Sequence, residues 1–173
     1  MASKIFTVTI EDLPEKRMLG NWMSLNALED KNEYTLVKEA FSRRLKGLPG
    51  FGTRAGYGVC SNILENLDCR YWTAVEDLPG NPAPNGMIPI ILDAGRYACL
   101  SATKGVTLAE FYAYLCNSWE RKQSAYLVDR QKSCFEFLGQ QWARLEGLKF
   151  FVPLKERLRQ LTLDEAPPAR LSV

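Results

Sequence analysis

Apolar and polar positions alternate near the start of the chain: Phe6, Val8 and Ile10 are separated by Thr7 and Thr9, the period of two of a half-buried strand. Leu13-Pro14-Glu15 predicts a turn, Arg17 to Leu25 a second stretch of strand, and Asn26 to Asn32 a polar connection. The spacing then changes. Tyr34, Val37, Phe41 and Leu45 recur at helical intervals between Asn32 and Lys46, until Gly47, Pro49, Gly50 and Gly52 break the run. Ala55 to Ser61 and Cys69 to Glu76 read as the two strands of a hairpin, with Leu67-Asp68 near its turn.

The same order of elements returns in the second half. A strand from Met87 to Leu92 continues through Arg96 to Thr103, a helix runs from Thr107 to about Lys122, and strands follow over Ser133 to Leu138 and Lys149 to Leu154. Leu13 to Arg17 (LPEKR) and Leu92 to Arg96 (LDAGR) lie 79 positions apart, and Tyr57-Gly58-Val59 and Phe135-Glu136-Phe137 lie 78 apart. Thr107-Leu108-Ala109-Glu110 forms a capping box that fixes the start of the second helix. Its apolar face, Leu108, Phe111, Tyr112, Leu115 and Trp119, must pack on a sheet to leave water. Two strand-helix-strand-strand units therefore predict an α+β fold: an antiparallel sheet with two helices on one face and the other face left partly uncovered. One domain is expected over residues 1–154, with repeats at about 4–78 and 87–154 joined by the Pro- and Gly-rich stretch Pro79 to Gly86. The remainder, 155–173, is expected to hold a short helix over Lys155 to Leu163 and a frayed end.

Composition narrows the function. The 173 residues are 46% hydrophobic and 24% charged, an ordinary balance for a chain that builds a core. A net charge of +2 argues against a polyanion binder, so no direct contact with nucleic acid is expected. The absence of any signal-like or bilayer-length apolar run predicts a cytoplasmic protein with no membrane partner. Five cysteines without a C-x-x-C pair read as reduced, individually buried thiols. The lack of histidine removes Ser-His-Asp and Cys-His machinery, His-ligated metals and imidazole proton shuttles, and no cofactor or metal is called for.

Two groups of residues carry candidate chemistry. Glu136 sits in Ser133-Cys134-Phe135-Glu136-Phe137-Leu138, where alternation sends both phenylalanines to one face and Glu136 to the other. If the phenylalanines meet the helices, Glu136 faces the open side, where a carboxylate among apolar neighbours pairs with a cation or takes up a proton. The plain alternative is a solvated strand glutamate. Trp22, Tyr57, Tyr71, Trp72, Tyr97, Trp119, Phe150 and Phe151 fall on the same elements. Most aromatic residues in a domain of this size are core, but several of them around one carboxylate would hold an organic cation with micromolar affinity, about −8 kcal/mol. Gly50 to Gly58 (GFGTRAGYG) is not a phosphate loop, because its third glycine is displaced and a helix precedes it. Arg43, Arg44 and Lys46 read as the solvated end of the first helix.

In order and spacing, YGVCSN (Tyr57 to Asn62), CRYWTAVE, IPIILDAGRYACLSATKG (Ile88 to Gly105), the Trp119 helix, SCFEFLG and FFVPL resemble the GyrI-like effector-binding domain over Phe6 to Leu154. The resemblance implies a tandem repeat whose groove takes lipophilic cations, with Glu136 as the acidic anchor. It also implies Tyr57, Trp72, Tyr97, Trp119 and Phe151 as groove residues, with Trp22 and Tyr71 added by their place among the aromatics. Relatives that regulate transcription place a helix-turn-helix module ahead of this domain, so a stand-alone member is expected. Its readings are ligand sensing or sequestration, modulation of a protein partner such as a regulator or DNA gyrase, and hydrolysis of strained-ring electrophiles with Glu136 as general base.

Overall fold

The period-two segments become strands. β1 (Phe6–Leu13) and β2 (Lys16–Asn26) flank the two-residue turn Pro14-Glu15, and β3 (Gly56–Ser61) pairs antiparallel with β4 (Asp68–Glu76). β5 (Ile88–Leu92) and β6 (Gly95–Ala102) repeat the opening pair, and β8 (Cys134–Gly139) and β9 (Lys149–Glu156) repeat the hairpin. The computed structural model describes residues 6–26, 55–61, 68–80, 86–102, 108–139 and 149–157. The helix expected over residues 32–46 and Thr107 of the capping box lie outside them. Between β6 and β8 come α1 (Leu108–Tyr114), a π-helical stretch (Leu115–Trp119), α2 (Glu120–Lys122) and a short strand, β7 (Tyr126–Val128), which the sequence pattern does not announce. β9 continues through Glu156, so Lys155 and Glu156 extend the strand rather than open a helix; Arg157 follows it outside any helix, its N–H donating to the Ala125 carbonyl, and residues 158–163 of the expected helix lie beyond the described residues. No described helix is long and apolar enough to cross a membrane.

The strand order β1-β6-β9-β8-β3-β4-β2-β5, with β7 added beside β9, is a palindrome under exchange of the two repeats. β3 and β8 are the central pair, and each repeat's first strand lies beside the other repeat's second: β1 pairs β6, and β5 pairs β2. The fold is α+β with an antiparallel sheet, as the duplicated pattern predicts.

Connection lengths shape that sheet. β1 and β2 stand six places apart in the order, which in a flat sheet at about 4.8 Å per strand would separate them by roughly 29 Å. Only Pro14 and Glu15 join them, and three Cα steps reach at most about 11 Å. β5 and β6, also six places apart, are joined by Asp93 and Ala94 alone. The sheet must therefore curl until its two ends converge at these turns, leaving a hollow on its inner side.

Two cores divide the faces. One gathers Cys60, Tyr71, Ala98, Leu100, Phe111, Leu115, Cys134, Phe150 and Val152, and so carries the helix; Phe6 stacks on Tyr114 at 4.3 Å beside it. The other gathers Met18, Tyr57, Val59, Trp72, Ala74, Leu92, Tyr97, Cys99, Phe135 and Phe151 on the face away from the helix. All five cysteines are thiols; Cys60, Cys69, Cys99 and Cys134 are buried and Cys116 is partly so.

Candidate functional site

Where the sheet's ends converge, a cavity of about 290 Å³ opens on the face away from the helix. Leu13, Pro14 and Lys16 from the first turn and Leu92 and Asp93 from the second line it, together with Tyr57, Tyr97, Phe135, Phe137, Phe151 and Lys149. The aromatic wall is well ordered by mutual packing. Phe135 stacks on Phe151 with ring centres 4.7 Å apart, Tyr97 meets the edge of Phe135 at 5.6 Å, and Tyr57 meets Phe137 at 5.4 Å. Each of these residues is on the inner face because strand alternation places it there in register with its neighbours: Tyr57 opposite Phe137, and Phe135 opposite Phe151.

Polar groups sit at fixed points on this wall. Lys16 Nζ donates to Tyr57 Oη and to Glu76 Oε1, both at 2.8 Å, and Tyr57 Oη donates to the same carboxylate oxygen at 2.9 Å. Partial burial by itself would lower the Lys16 ammonium, but the bonds to Glu76 and Tyr57 outweigh it and hold its pKa above the usual lysine value. The Lys16 hydrogen bond likewise holds Glu76 below the usual carboxylate range. Tyr97 donates to the Asp93 carbonyl at 2.7 Å, and its burial, with Asp93 nearby, raises its phenol to about 12. At neutral pH both tyrosines are neutral, Lys16 is a cation and Glu76 an anion.

Glu136 lies elsewhere. The condition that would leave Glu136 on the open side, both phenylalanines meeting the helix, is not met: Cys134 belongs to the core that holds Phe111 and Leu115, while Phe135 packs with Tyr57 and Tyr97 in the other. Alternation fixes that Phe135 and Glu136 point to opposite faces but not which face is which. Glu136 is 3% exposed on the helix-bearing face, where it accepts from Tyr71 Oη at 2.7 Å. Burial raises its pKa to about 8, so at neutral pH it is mostly an uncharged acid. Its register partner, and its counterpart in the first repeat, is Gly58. A Cβ there would collide with the Tyr71 hydroxyl and the Glu136 carboxyl, so the glycine makes room for this pair.

The expected site residues thus divide. Tyr57, Tyr97 and Phe151 come together on the cavity wall. Trp72 and Trp22 lie on the same face beyond the lining; Trp72 Nε1 donates to Ser61 Oγ at 3.0 Å, and Arg70 covers Trp22 at 4.3 Å. Glu136 and Tyr71 are on the opposite face, and Trp119, in the π-helical stretch, packs against the helix-side core. The pattern gives no sign of Lys16, Asp93 or Lys149, since only the curl of the sheet brings them together. Phe135 and Phe137 share one face by alternation, but the sequence leaves open which face that is.

The model of the GyrI-like family, a GyrI-like small molecule binding domain, matches residues 6–141. Among solved structures, the C-terminal domain of EcmrR superposes with a TM-score of 0.61 at 14% identity, over 88% of this chain and 99% of that one. SAV2435, solved bound to tetraphenylphosphonium, gives 0.60 at 12% identity over 86% and 94%. An integron cassette protein from the mobile metagenome of Vibrio cholerae gives 0.56 at 12% identity over 88% and 99%. At these identities the structural likeness is one of fold. No curated protein sequence matches the chain. With most of its length matched by the family model, the chain belongs to the GyrI-like small-molecule binding domain family.

Proposed function

We propose that this chain binds bulky organic molecules with an apolar, aromatic-compatible body in the cavity of the open face, and serves to sense or sequester them. The observation that carries this reading is the aromatic wall itself: five rings, from Tyr57, Tyr97, Phe135, Phe137 and Phe151, line one cavity that opens on the face without the helix. Such a wall binds by area and ring contact, with few directional bonds, and so accepts ligands of similar shape rather than one compound. Under this reading Glu136, Tyr71 and Trp119 serve the domain's interior.

A second reading, a lipophilic cation as ligand, is favoured by the tetraphenylphosphonium bound to SAV2435 and by the attraction of ring faces for cations.

The reading is tested with N-phenyl-1-naphthylamine, an uncharged probe that brightens in apolar surroundings. Saturable binding to the native protein is expected. Phe137→Ala is the informative variant, because this ring is 36% exposed at the cavity and its loss leaves the core intact. Losing part of its contact area costs about 1 kcal/mol, roughly fivefold in Kd. Ile88→Ala, exposed and outside the lining, should change nothing. Unsaturable binding, or equal losses in both variants, removes the cavity as the site.

A further inference from the structure

The cavity's charged groups do not suit a cation. Its lining carries two ammonium groups, Lys16 and Lys149, against one carboxylate, Asp93, which is exposed in the β5–β6 turn. Lys16 uses two of its three hydrogens on Tyr57 and Glu76, so a donor remains on a side chain that those same bonds hold in place. Glu76 balances that charge without removing the donor. Lys149 starts β9 opposite Phe137, is exposed, and makes no ion pair among the described residues. Glu11 shares this face, but it accepts from Thr9 Oγ1 and is not part of the lining. The carboxyl of Glu136 is buried on the far side of the sheet, where it accepts from Tyr71.

We propose that the groove is selective for lipophilic organic anions: an aromatic or polycyclic body carrying one carboxylate, sulfonate or phenolate, which Lys149 meets as a charge and Lys16, its own charge balanced by Glu76, as a positioned hydrogen-bond donor. This inference rests on the cavity being the ligand site. It adds to that reading the sign of the charge preferred, and stands against the lipophilic cation of the second reading. The apolar body supplies most of the binding through the rings, and the lysines decide between ligands of equal shape.

Tetraphenylborate and tetraphenylphosphonium separate the two statements, because they are nearly identical in size and apolar surface and opposite in charge. Each is titrated as a competitor of N-phenyl-1-naphthylamine on the native protein, Lys149→Gln and Lys149→Glu. Reversing the ligand's charge counts a lysine contact twice, once as attraction and once as repulsion, so the borate should bind about tenfold tighter at low salt. Lys149→Gln should narrow that ratio several-fold and Lys149→Glu should bring it to unity or below. Added salt at 0.5 M, roughly a 4 Å screening length, should narrow it in the native protein as well. Equal or tighter binding of the phosphonium by the native protein overturns the anion preference and leaves the cavity reading standing. A ratio that ignores both Lys149 substitutions overturns it too. Failure of both ions and of the neutral probe to bind removes the cavity reading, and this one with it.

Discussion

Glu136 lies on β8, one of the two central strands of the sheet. Its carboxyl is enclosed on the helix-bearing face, accepts from Tyr71, and occupies space that Gly58, its counterpart in the first repeat, leaves empty. Burial raises its folded pKa from 4.5 to about 8, so between those values the folded protein holds a proton that the unfolded chain releases. Stability from this group is therefore fully present below about pH 4.5 and declines as pH rises through about 8, by roughly a few kcal/mol. Urea denaturation of the native protein at pH 5, 7 and 9 should show that decline, and Glu136→Gln should flatten it; parallel curves would mean that Glu136 titrates as an ordinary carboxyl. The residue was singled out in the sequence as a carboxylate among apolar neighbours, and that much is legible from Cys134 to Leu138. The face it takes is not, because alternation is unchanged by turning the strand over, and only the tertiary fold, which puts Cys134 in one core with Phe111 and Leu115, settles it.

The helix carries a lesson of the same kind at the level of an element. Phe111 and Leu115 are buried as the helical spacing predicts, but the π-helical stretch adds a residue to the next turn, and the position that follows Leu115 inward is Glu120 rather than Trp119. Glu120, 8% exposed, accepts from the backbone N–H of Val128 at 2.6 Å and from Arg130 at 3.1 Å, so it fastens the end of the helix to β7. Glu120→Ala should cost about 1–3 kcal/mol in urea denaturation by leaving the Val128 donor buried without its acceptor. Asn117→Ala, exposed on the same stretch, should cost almost nothing. A loss below about 0.5 kcal/mol for Glu120→Ala would show that this fastening adds little. The strands are readable from their apolar patterns and turns and the helix from its spacing, since those signals are local. The π turn and β7 were not, because Leu115 to Trp119 reads as ordinary helix and Tyr126 to Val128 is too short to show a period.

For the whole molecule, the 78- and 79-residue offsets foretold a duplication, and the palindromic strand order carries it into three dimensions. What no offset reveals is that β1 belongs to the other repeat's half of the sheet, as does β5. Neither half therefore has a complete sheet of its own. Residues 1–80 and 86–173 made as two separate chains in one cell should co-purify as a one-to-one complex with the native circular dichroism spectrum, while each made alone should fail to unfold cooperatively. A cooperative, soluble single half would contradict this interleaving. The halves have also diverged where they meet at the cavity. Leu13 faces its equivalent Leu92 and Tyr57 its equivalent Phe135, but the places of Tyr97, Phe151 and Lys149 are taken in the first repeat by Met18, Ala74 and Trp72. A seat with unlike ends gives a lopsided guest one polarity: its head and tail are not interchangeable, and two mirror-image forms of a chiral compound would not be held alike.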